Sequence, residues 1–143
     1  MRGPGQRKLI IFVHGVLGDM DNTWINPTTH NSWPDLIASD PEMKDFDLYV
    51  YGYSSPMVGE ASNIREIADS FGQQLKDGKI FANYDEVDFI THSMGGIITK
   101  RMLDTLGDSA GVVAKIMALR MCKFRAVPHL INFYGVTPPP LKI

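Results

Sequence analysis

One cysteine, Cys122, is all the thiol chemistry in this chain of 143 residues. It cannot close an internal disulfide, so nothing in the composition points to an oxidising compartment, and a cytoplasmic location is the expectation. Long apolar runs are missing as well. The stretch MRGPGQRKLIIFVHGVLGD begins basic, but its apolar run stops at His14 and no small-residue cleavage site follows, so it reads as a strand. No window reaches the roughly 18 uninterrupted apolar residues that a membrane span requires. There is no G-x-x-x-x-G-K phosphate loop, and His, Cys and carboxylates nowhere show metal-ligand spacing, so no cofactor and no metal are expected. A net charge of −2 gives no global attraction for nucleic acid or an anionic membrane.

Another absence is regional. All 16 Asp and Glu lie up to Asp108, against 9 Lys and Arg; from Ser109 onward there are 5 Lys and Arg and no acid. Residues 109–143 are thus an atypical basic tail. It completes the sheet, packs as an irregular segment against the acidic body, or replaces the ending through a truncation or altered reading frame. With 44% hydrophobic and 21% charged residues, 1–143 has the balance of one globular domain.

What is present alternates between strand and helix patterns. Leu9 to Val13 is a continuous, β-branched apolar run, as in a strand buried on both faces of a parallel sheet. Residues 15–31, rich in Gly, Asp, Asn, Thr and Pro, read as a long loop. Ser32 can cap a short helix with Trp33 and Pro34 in its first turn, ending at Pro41. DLYVYGYSS, residues 47–55, is the second strand. Ile64, Ile67, Ala68, Phe71 and Leu75 carry the spacing of an amphipathic helix over Ala61 to Leu75, stopped near Gly78. Val87 to Thr91 is the third strand, and Met94 to Leu106 a helix whose buried face holds Ile97, Ile98, Met102, Leu103 and Leu106. A further helix is expected over Gly111 to Phe124, and HLINFYG, residues 129–135, reads as a fourth strand. This order predicts an α/β domain with a mostly parallel sheet of about four strands flanked by helices. Ligands of such sheets bind beyond the strands' carboxyl ends, which puts the loops after Val13 and Tyr53 and the turn at Ser93 on one rim.

In VDFITHSMGG, Ser93 falls where the third strand gives way to a helix. A serine in so tight a turn needs small neighbours, because the backbone is strained and strand and helix come close. Gly95 and Gly96 supply them on the helix side; Thr91 stands two residues before the serine. The helix amides and dipole at that point favour a developing oxyanion.

LIIFVHGVLGD followed by VDFITHSMGG, each at a strand end, resembles the α/β-hydrolase superfamily, in particular the small bacterial lipases and serine esterases with a His-Gly oxyanion loop. The resemblance covers residues 8–106. It implies that Ser93 is the nucleophile, that the amides of Val16 and Met94 form the oxyanion hole, and that His14, Gly15 and Gly95 support the motif, His14 bracing the loop. LINFYGVTPP is similar to the family's next strand. Against the family pattern the first two strands are missing, as in its smallest members. The positions of the triad acid and histidine fall beyond the end of the chain, so the implied fold is a minimal, truncated α/β-hydrolase.

A serine hydroxyl needs a base, which makes each of the four histidines a candidate. His92 neighbours Ser93 and, by strand alternation, faces away from it. His129 precedes the fourth strand, at the opposite rim. His14 holds the loop. His30, in the long loop on the catalytic rim, is the remaining candidate base, although a solvated loop histidine has the same sequence signature. Asp19, like Asp21, is a candidate acid, although loop carboxylates also bind turn amides; a second copy could also lend a group. Trp24, Trp33, Tyr51 and Tyr53 either wall a pocket or simply pack. The resulting expectation is a serine carboxylesterase or lipase-like hydrolase whose partner is a small, short-chain ester. The alternative is a non-catalytic module that binds an acyl ligand or a protein. A sheet edge left open also predicts a homo-oligomer, open to a mass measurement in solution.

Overall fold

The computed structural model describes residues 7–15, 22–54, 61–107 and 116–121, with side chains except at 61–63 and 116–121. Strand β1 (Lys8–Val13) pairs in parallel with β2 (Phe46–Tyr51) and β3 (Glu86–Thr91), and β3 pairs in parallel with β4 (Ile116–Met121), in the order β2-β1-β3-β4. The register is flush at the carboxyl end, where Val13 lies opposite both Tyr51 and Thr91. Parallel strands flanked by helices are the α/β arrangement the sequence predicts.

The unbroken apolar run of β1 is explained by burial on two faces. Leu9, Ile11 and Val13 join Phe71, Leu75, Phe89, Ile98, Met102 and others in one cluster. Ile10 and Phe12 join Trp24 and Ile37 in a second cluster on the opposite side. Alternation inside an all-apolar strand therefore sorts residues between two cores, not between core and water.

Helix α1 (Trp33–Ser39) covers the second cluster through Ile37, with Pro34 in its first turn and Ser32 as N-cap. Helices α2 (Ala61–Asp77) and α4 (Met94–Leu106) pack together and cover the first, and a short α3 (Ile80–Asn83) follows α2. The sequence did not announce α3; its entry is made by Lys79 in the left-handed region, at φ 51. Glu86 and Lys8 form an ion pair of 3.0 Å at the amino end of the sheet.

Two expectations need correction, and a third falls outside the described residues. The helix expected over 111–124 is overturned at its described part, where Ile116–Met121 is a strand beside β3. A short run that is apolar all round has no period to separate helix from buried strand, and the free edge of β3 decides in favour of pairing. The strand expected at 129–135 lies outside the described residues. Ile97, expected on the buried face of α4, is 55% exposed, while Ile98, Met102 and Leu106 carry that face. Adjacent isoleucines point about 100° apart on a helix, so only one of the two can face the sheet.

Candidate active site at the Ser93 turn

Two serines stand at helix N-caps among the described residues, and the backbone treats them differently. Ser32, at φ −99 and ψ 136, accepts the Asp35 N–H at 3.4 Å, the ordinary capping contact. Ser93, at φ 52 and ψ −124, makes no side-chain cap bond to α4. The residue is exposed at the carboxyl end of β3, and its hydroxyl is not committed to the helix it begins. Holding a non-glycine residue in such a conformation costs roughly 1–3 kcal/mol, and it persists only where the surroundings enforce it.

Two glycines enforce it. A Cβ at Gly15 would lie 2.7 Å from both the His92 carbonyl oxygen and the Ser93 Cβ, and 3.1 Å from His92 Nδ1. A Cβ at Gly95 would run into the carbonyl oxygens of Val13 and His14. The end of β1 and the start of α4 therefore touch backbone to backbone. The His92 N–H donates to Val13 O at 2.9 Å, the Gly95 N–H to His92 O at 3.0 Å and the Gly96 N–H to Ser93 O at 3.1 Å. The first amide of α4, that of Met94, has no acceptor within the helix. His92, expected to face away from Ser93, has its ring beside the same glycine that Ser93 Cβ touches. Strand alternation ends at Thr91, and the positive φ of Ser93 turns the chain in a new direction.

His14 is fully buried and tied to Tyr53 in three ways. The rings stack with centroids 4.0 Å apart at 7°. The Tyr53 hydroxyl donates to His14 O at 2.7 Å, and the Tyr53 N–H donates to His14 Nε2 at 3.4 Å. Because Nε2 accepts, Nδ1 carries the proton, and it donates to Gly15 O at 3.1 Å. His14 is thus held by Tyr53, a residue that the sequence left between pocket wall and sheet cover. No local pattern marks a pair separated by 39 positions.

Burial, and then the neighbouring Tyr51, push the Tyr53 hydroxyl up to about 12, from an ordinary value of 10.0. Between pH 10 and 12 the unfolded chain has lost this proton and the folded chain keeps it, so stability falls as pH rises. Tyr51 and Tyr84 are also raised, chiefly by burial, and add to the same slope. Urea unfolding at pH 9 and pH 11.5 is expected to show a loss of stability to which Tyr53 contributes, and Tyr53→Phe is expected to flatten it. An unchanged slope in that variant would refute the assignment.

The other residues singled out from the sequence are placed less closely. Val16, Asp19 and Asp21 lie outside the described residues. His30 is exposed at φ 57 in a turn built on Asn26, whose carbonyl oxygen accepts the His30 N–H at 2.8 Å and whose side chain accepts from Thr28 and Thr29. Among the described residues no hydrogen bond joins His30 to Ser93. Trp24 is buried edge-on to Phe12, with centroids 5.1 Å apart, and Trp33 packs on the same cluster. Thr91 is buried beneath the turn, and its hydroxyl has no hydrogen-bond partner among the described residues. No three His, Cys, Asp or Glu come together as metal ligands among the described residues, and no described helix is long and apolar enough to cross a membrane.

Comparison of the chain with protein-family models finds no match, and comparison with curated proteins finds none either. The reading of the site therefore stands on its own geometry.

Proposed function

We propose that the chain is a serine ester hydrolase of the α/β-hydrolase type that cleaves short-chain carboxylic esters through an acyl-serine. The observation that carries this reading is Ser93 itself, an exposed residue held at positive φ between β3 and α4 whose side chain makes no cap bond. Packing alone gives no reason to keep a strained serine where a glycine would sit without strain.

In the proposed reaction Ser93 Oγ attacks the ester carbonyl carbon and its proton passes to a base. The amides of Met94 and Val16 hold the oxyanion. The carbon–alkoxide bond breaks, the alcohol leaves with the proton, and water then releases the carboxylic acid and restores the hydroxyl. His30 is the proposed base and Asp19 its proposed acid. Without them, an oxyanion hole and binding alone retain on the order of 10³ to 10⁴ over water in a serine hydrolase.

The test is intact-mass labelling with a fluorophosphonate, together with hydrolysis of p-nitrophenyl acetate. Wild type is expected to gain one adduct, and Ser93→Ala none. His30→Ala is expected to slow labelling by at least a hundredfold; an undiminished rate in that variant would dismiss His30 as the base and leave Ser93 standing. A second reading, a non-catalytic module that binds an acyl ligand or a protein, is favoured by the absence of a hydrogen bond between Ser93 and any described histidine. A wild type that takes no adduct would replace the first reading with this one.

A further inference from the structure

We propose that Tyr53 is a positioning residue for the Ser93 turn, fixing the His14–Gly15 peptide against the start of α4 through its hydroxyl and its ring. The proposal rests on reading Ser93 as a nucleophile and adds to that reading a residue from a third strand end.

The His14 carbonyl is confined from two directions. The Tyr53 hydroxyl donates to it at 2.7 Å, and the Cβ-free face of Gly95 lies directly against it. Next along the chain, Gly15 lies against the Ser93 Cβ and the His92 carbonyl oxygen. A rotation of the peptide between residues 14 and 15 would therefore be felt at the serine within one residue. Val13 cannot absorb it, because its carbonyl already accepts the His92 N–H. Tyr53 is in turn held from beneath: its ring stacks at 5.6 Å on Tyr51, and Tyr51 at 3.9 Å on Phe71, both in the core. Its raised titration keeps the hydroxyl a donor throughout the neutral and mildly alkaline range.

The chain of contacts runs from core to Phe71, Tyr51, Tyr53, His14, Gly15 and Ser93. Tyr53 meets Ser93 along this chain only through His14 and Gly15, which is the ground for a positioning role. Its loss should lower the maximal rate of attack by Ser93 without changing how tightly a reagent is held.

The test is Tyr53→Phe, which removes the hydroxyl and keeps the ring. Two readouts are taken on the full chain. In the fluorophosphonate reaction, where the Ser93 Oγ–P bond forms, the P–F bond breaks with loss of fluoride and the hydroxyl proton passes to the base, the maximal labelling rate is expected to fall about tenfold with the half-saturating concentration unchanged. In backbone hydrogen exchange, the amides of Gly15 and His92 are expected to exchange at least tenfold faster while those of Ile10 to Phe12 keep their protection. Tyr53→Leu, which also removes the stack, should exceed both effects.

Unchanged exchange at Gly15 and His92 overturns the proposal whether or not Ser93 reacts. Faster exchange with wild-type labelling also overturns it, because the clamp would then have no consequence for the serine. A parallel change in half-saturating concentration would turn Tyr53 into a binding residue instead. If the wild type itself takes no adduct, the nucleophile reading has failed and takes the positioning role with it; the exchange data then report a structural clamp and nothing more.

Discussion

Gly95→Ala is expected to lower stability by about 3 kcal/mol and to remove labelling at Ser93. The added methyl would meet the carbonyl oxygens of Val13 and His14 and lie 3.0 Å from Val13 carbonyl carbon. These are backbone atoms of the central strand, and both oxygens are already engaged, one by the His92 N–H at 2.9 Å and the other by the Tyr53 hydroxyl at 2.7 Å. Neither can move aside without giving up its partner. The strand and helix must separate, and the turn that presents Ser93 opens with them. Gly72→Ala is the matched control, since a Cβ there would meet the Met102 Cγ at 3.4 Å, the flexible side chain of a neighbouring helix. That substitution should be neutral or stabilising by up to about 1 kcal/mol, as alanine is the better helix former. Urea unfolding of the two variants side by side decides the matter. A Gly95→Ala protein as stable as wild type would mean that the two elements are not in backbone contact, and the account of the Ser93 strain would fail with it.

The difference between these glycines marks what the sequence disclosed and what it kept. The Ser93 turn was legible because its requirements are local. A small residue must follow the serine at a fixed offset, a strand pattern must precede it and a helix pattern must succeed it, and all three lie within twenty residues of chain. The buried β1 was legible for the same reason, since a strand covered on both faces leaves an unbroken apolar run. Ile97 was misplaced because a helical pattern containing neighbouring isoleucines is satisfied by either one, and only the packing of α4 on α2 chooses Ile98. The strand Ile116–Met121 was read as helix because its apolar residues carry no period, and only a neighbour in the sheet resolves it. Tyr53 lay beyond reach for a different reason. Its partner is 39 positions away and the contact is made at strand ends. Its sequence neighbours hold an equally plausible Tyr51, which the fold sends into the core instead.

Phe71→Ala is expected to cost about 4 kcal/mol, the upper range for emptying a fully buried aromatic position. Phe71 is completely buried on α2, stacked on Tyr51 at 3.9 Å and edge-on to Phe89 at 6.2 Å, so the cavity would open between two strands and two helices that cannot close over it. Phe71→Leu fills part of the same space and should cost about 1.5 kcal/mol. Urea unfolding at neutral pH measures both, and a loss below about 1 kcal/mol for the alanine variant would show that the site collapses and that the ring is not a pillar of the core. The same substitution also asks whether the aromatic column acts as one unit. If Phe71 supports Tyr53 through Tyr51, then adding Tyr53→Phe to Phe71→Ala should remove less than the sum of the separate losses, with a coupling of at least about 0.5 kcal/mol. Strict additivity would mean that Tyr51 isolates the clamp from the core. The strain at Ser93 would then be maintained entirely at the rim, by Gly15, Gly95 and the Tyr53 hydroxyl, and the turn could loosen without any change in the packing beneath it.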